Sequence, residues 1–145
     1  MTREPVWLPR AAVLAIHEML IAAHGGAAGP FDEAKLDAAL ARPLHRHTYE
    51  NPDLFRLAAA YAFGIARDHP FRDGNKRVAL TLAGVFLELN GWVLVAPEAE
   101  AASMTIALAA GDMDEAAYAA WLEPNARRVY HLGQPAAATK WPRCS

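Results

Sequence analysis

Two strongly apolar segments flank a short polar stretch near the middle of this chain, and that pairing restricts the fold more than any other feature. Residues 54–66 read LFRLAAAYAFGIA and residues 78–89 read VALTLAGVFLEL. Apolar side chains cover most of the circumference of either segment when it is wound as a helix, the mark of a helix buried on several sides. Both helices therefore belong in a core, and a chain of 145 residues is long enough to build one in a single domain. Between them lies His69-Pro-Phe-Arg-Asp-Gly-Asn-Lys-Arg77. A histidine, a carboxylate, an amide and three cations are thus concentrated between two pieces of the core.

The remaining segments are also helical in period. Pro9 suits the first turn of a helix running through Ala11 to about His24, with Gly25-Gly26 as its stop. Val13, Ile16, Leu20 and Ala23 mark its buried face, which leaves His17 and His24 as expected surface groups. Asp32 caps a short helix through Leu36 and Leu40 that is expected to end before Pro43. Residues 43–52 then read as a loop, and His45 and His47 within it lack a third metal ligand at a telling distance. Asp53 begins the first core helix, and Gly91 stops the second. Trp92–Val95 is β-prone but short; helices are expected from Pro97 to Ala110 and, capped by Asp112 or Asp114, through Leu122. The expected architecture is an all-α bundle with at most one short strand. It forms one domain over 1–130, followed by a loosely held Pro/Ala-rich tail over 131–145.

Charge and cysteine usage narrow the function classes. Fourteen basic residues against sixteen acidic ones give no electrostatic footprint for nucleic acid or an anionic membrane. Cys144 is the only cysteine, so neither an internal disulfide nor a thiolate metal site is available. No signal-type apolar region opens the sequence, and no apolar run reaches about 18 residues. A reduced, cytoplasmic protein is the expectation.

The polar stretch itself suggests phosphate. Asn75 opens the second core helix, and a helix N-terminus presents unpaired N–H groups with partial positive charge. Lys76 and Arg77 fall in that same first turn, with Arg72 and Arg67 close in sequence. Cations there oppose the helix dipole, a penalty that a polyanionic ligand offsets. Asp73 is the one carboxylate available to hold Mg2+ on such a ligand. Gly74 permits close backbone approach, the His69 imidazole is a group able to exchange a proton, and Phe71 can pin the loop into the core. The stretch is no P-loop: no strand precedes it and the Gly-x4-Gly-Lys-Ser/Thr spacing is missing.

His69-Pro-Phe-Arg-Asp-Gly-Asn-Lys-Arg77 resembles the signature of the Fic/Doc family in its Doc (death-on-curing) form, His-x-Phe-x-Asp-x-Asn-Lys-Arg. The likeness extends over roughly residues 8–123, through Leu14–His17, Gly25-Gly26, Gly29, Ala39–Pro43, Phe86–Gly91 and Ala120–Leu122. It implies the all-α Fic fold and nucleotide-dependent transfer to a protein hydroxyl. By that resemblance His69 is the general base, Asp73 holds Mg2+, and Asn75 and Arg77 contact nucleotide phosphates. The amides around Gly74 form the anion hole, and Arg67 is a further nominee; Arg72 joins the set of phosphate-binding cations.

Position 76 bears on which group is transferred. AMP-transferring Fic enzymes typically carry Gly-Asn-Gly-Arg with another arginine three residues later, whereas this chain has Gly74-Asn-Lys-Arg77 with Leu80 at that place. The Doc pattern implies an inverted ATP and transfer of the γ-phosphate, aided by Lys76 and Arg77, to a translation factor such as elongation factor Tu. AMP transfer and a non-catalytic nucleotide- or partner-binding module remain as alternatives. The inhibitory Ser/Thr-x3-Glu-Gly/Asn motif of many Fic enzymes is missing from the sequence. The resemblance then implies restraint in trans by a Phd-type antitoxin.

Overall fold

The computed structural model describes residues 4–129. Six α-helices follow in order: α1 Arg10–His24, α2 Glu33–Glu50, α3 Leu54–Asp68, α4 Asn75–Leu89, α5 Glu98–Ala110 and α6 Glu115–Leu122. The all-α expectation holds. Among the described residues, no helix is long and apolar enough to cross a membrane.

α3 is the hub, packed by α2, α4, α5 and α6. Ala58, Ala59, Ala60, Ala62 and Ala66 are fully buried on it, as is Ile65. Small side chains let neighbouring helices approach from several directions, which accounts for its all-round apolar character. α4 supplies the facing half of the core through Val78, Leu82, Phe86 and Leu87. Most of the expected caps are present. Asp32, Asp53 and Asp114 each accept a backbone N–H three residues on, at 2.8–3.0 Å, and Gly111 ends α5 in the left-handed conformation.

Two expectations need correction. α2 does not end before Pro43; it runs through that residue to Glu50, so 43–52 is mostly helix rather than loop. Proline costs a helix one hydrogen bond and crowds the preceding turn, but here tertiary packing outweighs that penalty. Gly64 of α3 comes so close that a Cβ there would lie 3.0 Å from Ala39 Cα and 3.2 Å from its carbonyl oxygen. On either side of the proline, Arg42 and Arg46 are tied to Glu115 of α6. The helix ends only at Asn51, in the left-handed region at φ 49°.

The second correction concerns the strand. Trp92–Leu94 (β1) does form, but it pairs antiparallel with Ala126–Arg128 (β2), in register Trp92 with Arg128 and Leu94 with Ala126. Two strands are present where at most one was expected. β2 carries two arginines and no apolar alternation, so its pairing is set by the fold and not by its own pattern. The tail expected over 131–145 lies outside the described residues.

Candidate active site

The polar stretch joins the end of α3 to the start of α4. His69 is the C-cap of α3, at φ 53° and ψ 58°, and its N–H donates to Ile65 O at 3.2 Å. Glycine is the usual occupant of such a left-handed cap, because other L-residues pay roughly 1–2 kcal/mol to adopt it. A histidine accepts that strain here while its side chain stays exposed. Strain held at one side chain points to use of that side chain.

Phe71 follows, buried at 3% exposure, and anchors the loop as expected. Asn75 closes the turn around it: its Oδ1 accepts the Phe71 N–H at 3.0 Å and its Nδ2 donates to the Phe71 carbonyl at 2.7 Å. The Asn75 amide thus serves the loop first, leaving its own backbone N–H and one Nδ2 hydrogen for other partners. Gly74, at φ 83°, is the N-cap of α4 and has no side chain to cap it. The first bond of that helix is Val78 N–H to Gly74 O at 2.9 Å. The N–H groups of Asn75, Lys76 and Arg77 therefore precede the helical ladder, which is what an anion site requires.

A cleft of about 340 Å³ begins at this helix end. Gly74, Asn75, Lys76 and Arg77 line one side, and Leu80, Ala102, Thr105 and Ile106 make the rest. The lining joins a cationic, N–H-rich end to an apolar wall. Leu80, where a second arginine was looked for, belongs to that wall. Behind it Thr105 donates to Ala101 O at 2.8 Å and takes the hydroxyl of the buried Tyr118 at 2.8 Å. Burial pushes the Tyr118 phenol up to about 12, with the Thr105 bond pulling weakly the other way.

Asp73 sits exposed on the loop beside the first turn of α4. Its Oδ2 accepts the Ala27 N–H at 2.8 Å, and Oδ1 has no protein hydrogen bond among the described residues. The segment after α1 clasps the whole loop: Asp32 N–H donates to Pro70 O at 2.8 Å, and the Phe31 ring tilts against Phe71. Gly26 is required there, since a Cβ at its φ of 119° would come within 3.2 Å of Asp73 Cβ. No group of three or more His, Cys, Asp or Glu that could hold a metal exists among the described residues. One free carboxylate oxygen fits Mg2+ carried by a nucleotide, which takes one or two carboxylates plus phosphate oxygens, and does not fit a closed protein cage.

The expected site residues thus separate into groups. Gly74, Asn75, Lys76 and Arg77 share the cleft, while His69, Arg72 and Asp73 stand on the loop outside its lining. Arg72, Lys76 and Arg77 make no ion pair among the described residues. Arg67 lies elsewhere: its guanidinium is 5.0 Å from the centre of the Phe63 ring, which Arg42 also covers at 4.3 Å. It thus lies over a ring of its own helix, α3.

One group was misread. His17 is not a surface residue; it is 7% exposed, and its ring stacks on Phe71 at 3.9 Å and 12°. Its Nε2 lies 3.0 Å from the Asp73 carbonyl oxygen. Position 17 is four residues after Val13 and three before Leu20, so the helical spacing already put it on the buried stripe. His24 is exposed as expected, and His45 and His47 lie on α2, His47 at 3.4 Å from Glu4.

Comparison with known proteins gives the family of the sequence. A sequence model of the Fic/DOC family matches residues 7–87, from the segment before α1 through most of α4. The protein kinase Doc of Escherichia phage P1 is 37% identical over 119 residues, covering 81% of this chain and 90% of that protein. Toxin Doc of Mycolicibacterium smegmatis is 43% identical over 77 residues, 51% of this chain and 58% of its own.

Proposed function

The chain belongs to the Fic/DOC family, and from that premise we propose that it is a Doc-type toxin. In this reading it transfers the γ-phosphate of Mg-ATP to a hydroxyl of a translation factor such as elongation factor Tu. A threonine hydroxyl is the proposed acceptor, translation arrest the consequence, and the cytoplasm the place of action. The observation that carries the reading is the uncapped start of α4. Three ladder-free N–H groups, Lys76 and Arg77 converge on one cleft, with no carboxylate paired to either cation among the described residues.

Each residue then has a physical task. An imidazole nitrogen of His69 takes the proton of the target hydroxyl as that oxygen bonds the γ-phosphorus and the bond to the β-phosphate oxygen breaks, releasing ADP. The N–H groups of Asn75 to Arg77 and the two cations hold the phosphate oxygens in line with the attacking hydroxyl. Asp73 would hold the nucleotide's magnesium, which neutralises charge gathering on the β- and γ-oxygens. Gly74 lets the phosphates approach the backbone, and Asn75 and Phe71 keep the turn closed. Arg72 is the remaining exposed cation beside the site.

Support for γ- over α-phosphate transfer comes from Lys76 in the cleft, from Leu80 as apolar wall, and from the phage relative's name as a protein kinase. Restraint by a Phd-type antitoxin completes the proposal, since no inhibitory motif occurs in the sequence. Incubation of the protein and cell extract with ATP labelled at the α- or the γ-position tests the reaction. Label on a translation factor from the γ-position alone is expected, and it disappears in His69→Ala. Label retained from the α-position makes the protein an AMP transferase and overturns the kinase reading.

A further inference from the structure

We propose that His17 is a positioning residue that aims the Asp73 carboxylate, and so sets how tightly a divalent cation is held beside the nucleotide. The inference rests on the reading of Asp73 as the cation-holding group.

His17 reaches the loop from α1 and makes two different contacts. Its ring lies flat on Phe71, with centroids 3.9 Å apart, and its Nε2 meets the Asp73 carbonyl at 3.0 Å. A carbonyl oxygen can only accept, so Nε2 is the donor of this bond. The stack fixes the ring plane, and the hydrogen bond fixes the backbone of Asp73. The side chain of the same residue is fixed separately, by Ala27 N–H on Oδ2. Both anchors on Asp73 come from α1 and the segment leaving it, while Asn75 of α4 holds the loop at Phe71.

Asp73 is thereby held at its carbonyl and at one carboxylate oxygen, leaving Oδ1 for a cation. Loss of the His17 bond frees the peptide unit of an exposed residue whose neighbour, Gly74, is the most permissive residue in the loop. Groups that orient a metal ligand in this way typically change cation affinity or activity by about 10–100-fold when removed. A histidine needed only to fill space would be replaceable by a ring of similar shape.

That difference gives the test. Phenylalanine at this position keeps a stacking ring and deletes the donor; glutamine keeps an amide donor at nearly the same reach and deletes the ring. Binding of Mn2+ in the presence of a non-hydrolysable ATP analogue, followed by electron paramagnetic resonance, reads the site without any turnover. His17→Phe is expected to weaken Mn2+ binding by about tenfold with the melting temperature little changed, and His17→Gln to restore most of the affinity. His17→Leu replaces the phenylalanine variant should that one not fold. Wild-type Mn2+ affinity in a folded donor-less variant overturns the inference while leaving the proposed function intact. Failure of the wild-type protein to bind Mn2+ with the nucleotide sinks both together.

Discussion

The bundle contains two polar clusters of similar composition, and they are built to opposite plans. One is Arg42, Arg46 and Glu115, between α2 and α6. Glu115 is 6% exposed and accepts four hydrogen bonds, at 2.7–3.1 Å, from the two guanidiniums. Those bonds hold the Arg46 guanidinium above its ordinary range, against the opposing effect of burial. The other is the loop from His69 to Arg77. There the cations have no carboxylate partner among the described residues, and the helix N–H groups ahead of Val78 precede the ladder. Buried charge that is paired within the protein holds a structure together. Cations gathered at the positive end of a helix cost stability unless something else supplies the negative charge. The first cluster is complete without a ligand, and the second is not.

Each cluster is therefore expected to fail in its own way when altered. The largest effect is expected at His69. His69→Gly removes the proposed base while suiting the left-handed cap, so transfer activity should fall by roughly 10²–10⁴-fold with the melting temperature unchanged or higher. A variant that loses stability along with activity would place His69 in the structural class. Glu115→Ala should do the reverse. It strands two cations, but both arginine side chains are partly exposed, at 37% and 25%. A loss of about 2 kcal/mol in denaturant unfolding is therefore expected rather than the larger cost of a fully buried pair, with nucleotide affinity of the folded protein preserved.

A smaller, pH-dependent effect belongs to the interior behind the cleft. The Tyr118 phenol is raised to about 12 by burial, so the folded state favours its protonated form. Its contribution is fully present below the unfolded value near 10 and is lost as pH rises from there through about 12. Unfolding free energy should drop by about 2–3 kcal/mol across that window. Tyr118→Phe should flatten most of the decline; an unaltered decline would assign it to other groups.

The two plans also differ in how far the sequence exposed them. The open cluster is contiguous, nine residues bearing their own chemistry, and the apolar helices on either side announced its setting. Its Gly74 cap and buried Phe71 followed from local rules alone. The closed cluster joins residues 42, 46 and 115, which no local pattern relates. Missing it led directly to the error at Pro43, because proline's local preference was weighed without the packing on Gly64 and the ties to Glu115. β2 was missed for the same reason: Ala126–Arg128 becomes a strand only because β1 lies beside it. His17 is an intermediate case. Its place on the buried stripe of α1 was readable from spacing, but what it meets there, the Asp73 carbonyl, lies 56 residues away in the sequence.

The most direct test is a nitrogen-15 NMR titration with Mg2+ and a non-hydrolysable ATP analogue, following two sets of signals in one sample. The backbone amides of Asn75, Lys76 and Arg77 should shift on saturation, while the Nε–H signals of Arg42 and Arg46 stay fixed in their bonds to Glu115. Shifts confined to the Arg42–Arg46 cluster, or none at the start of α4 at saturating nucleotide, would contradict the account.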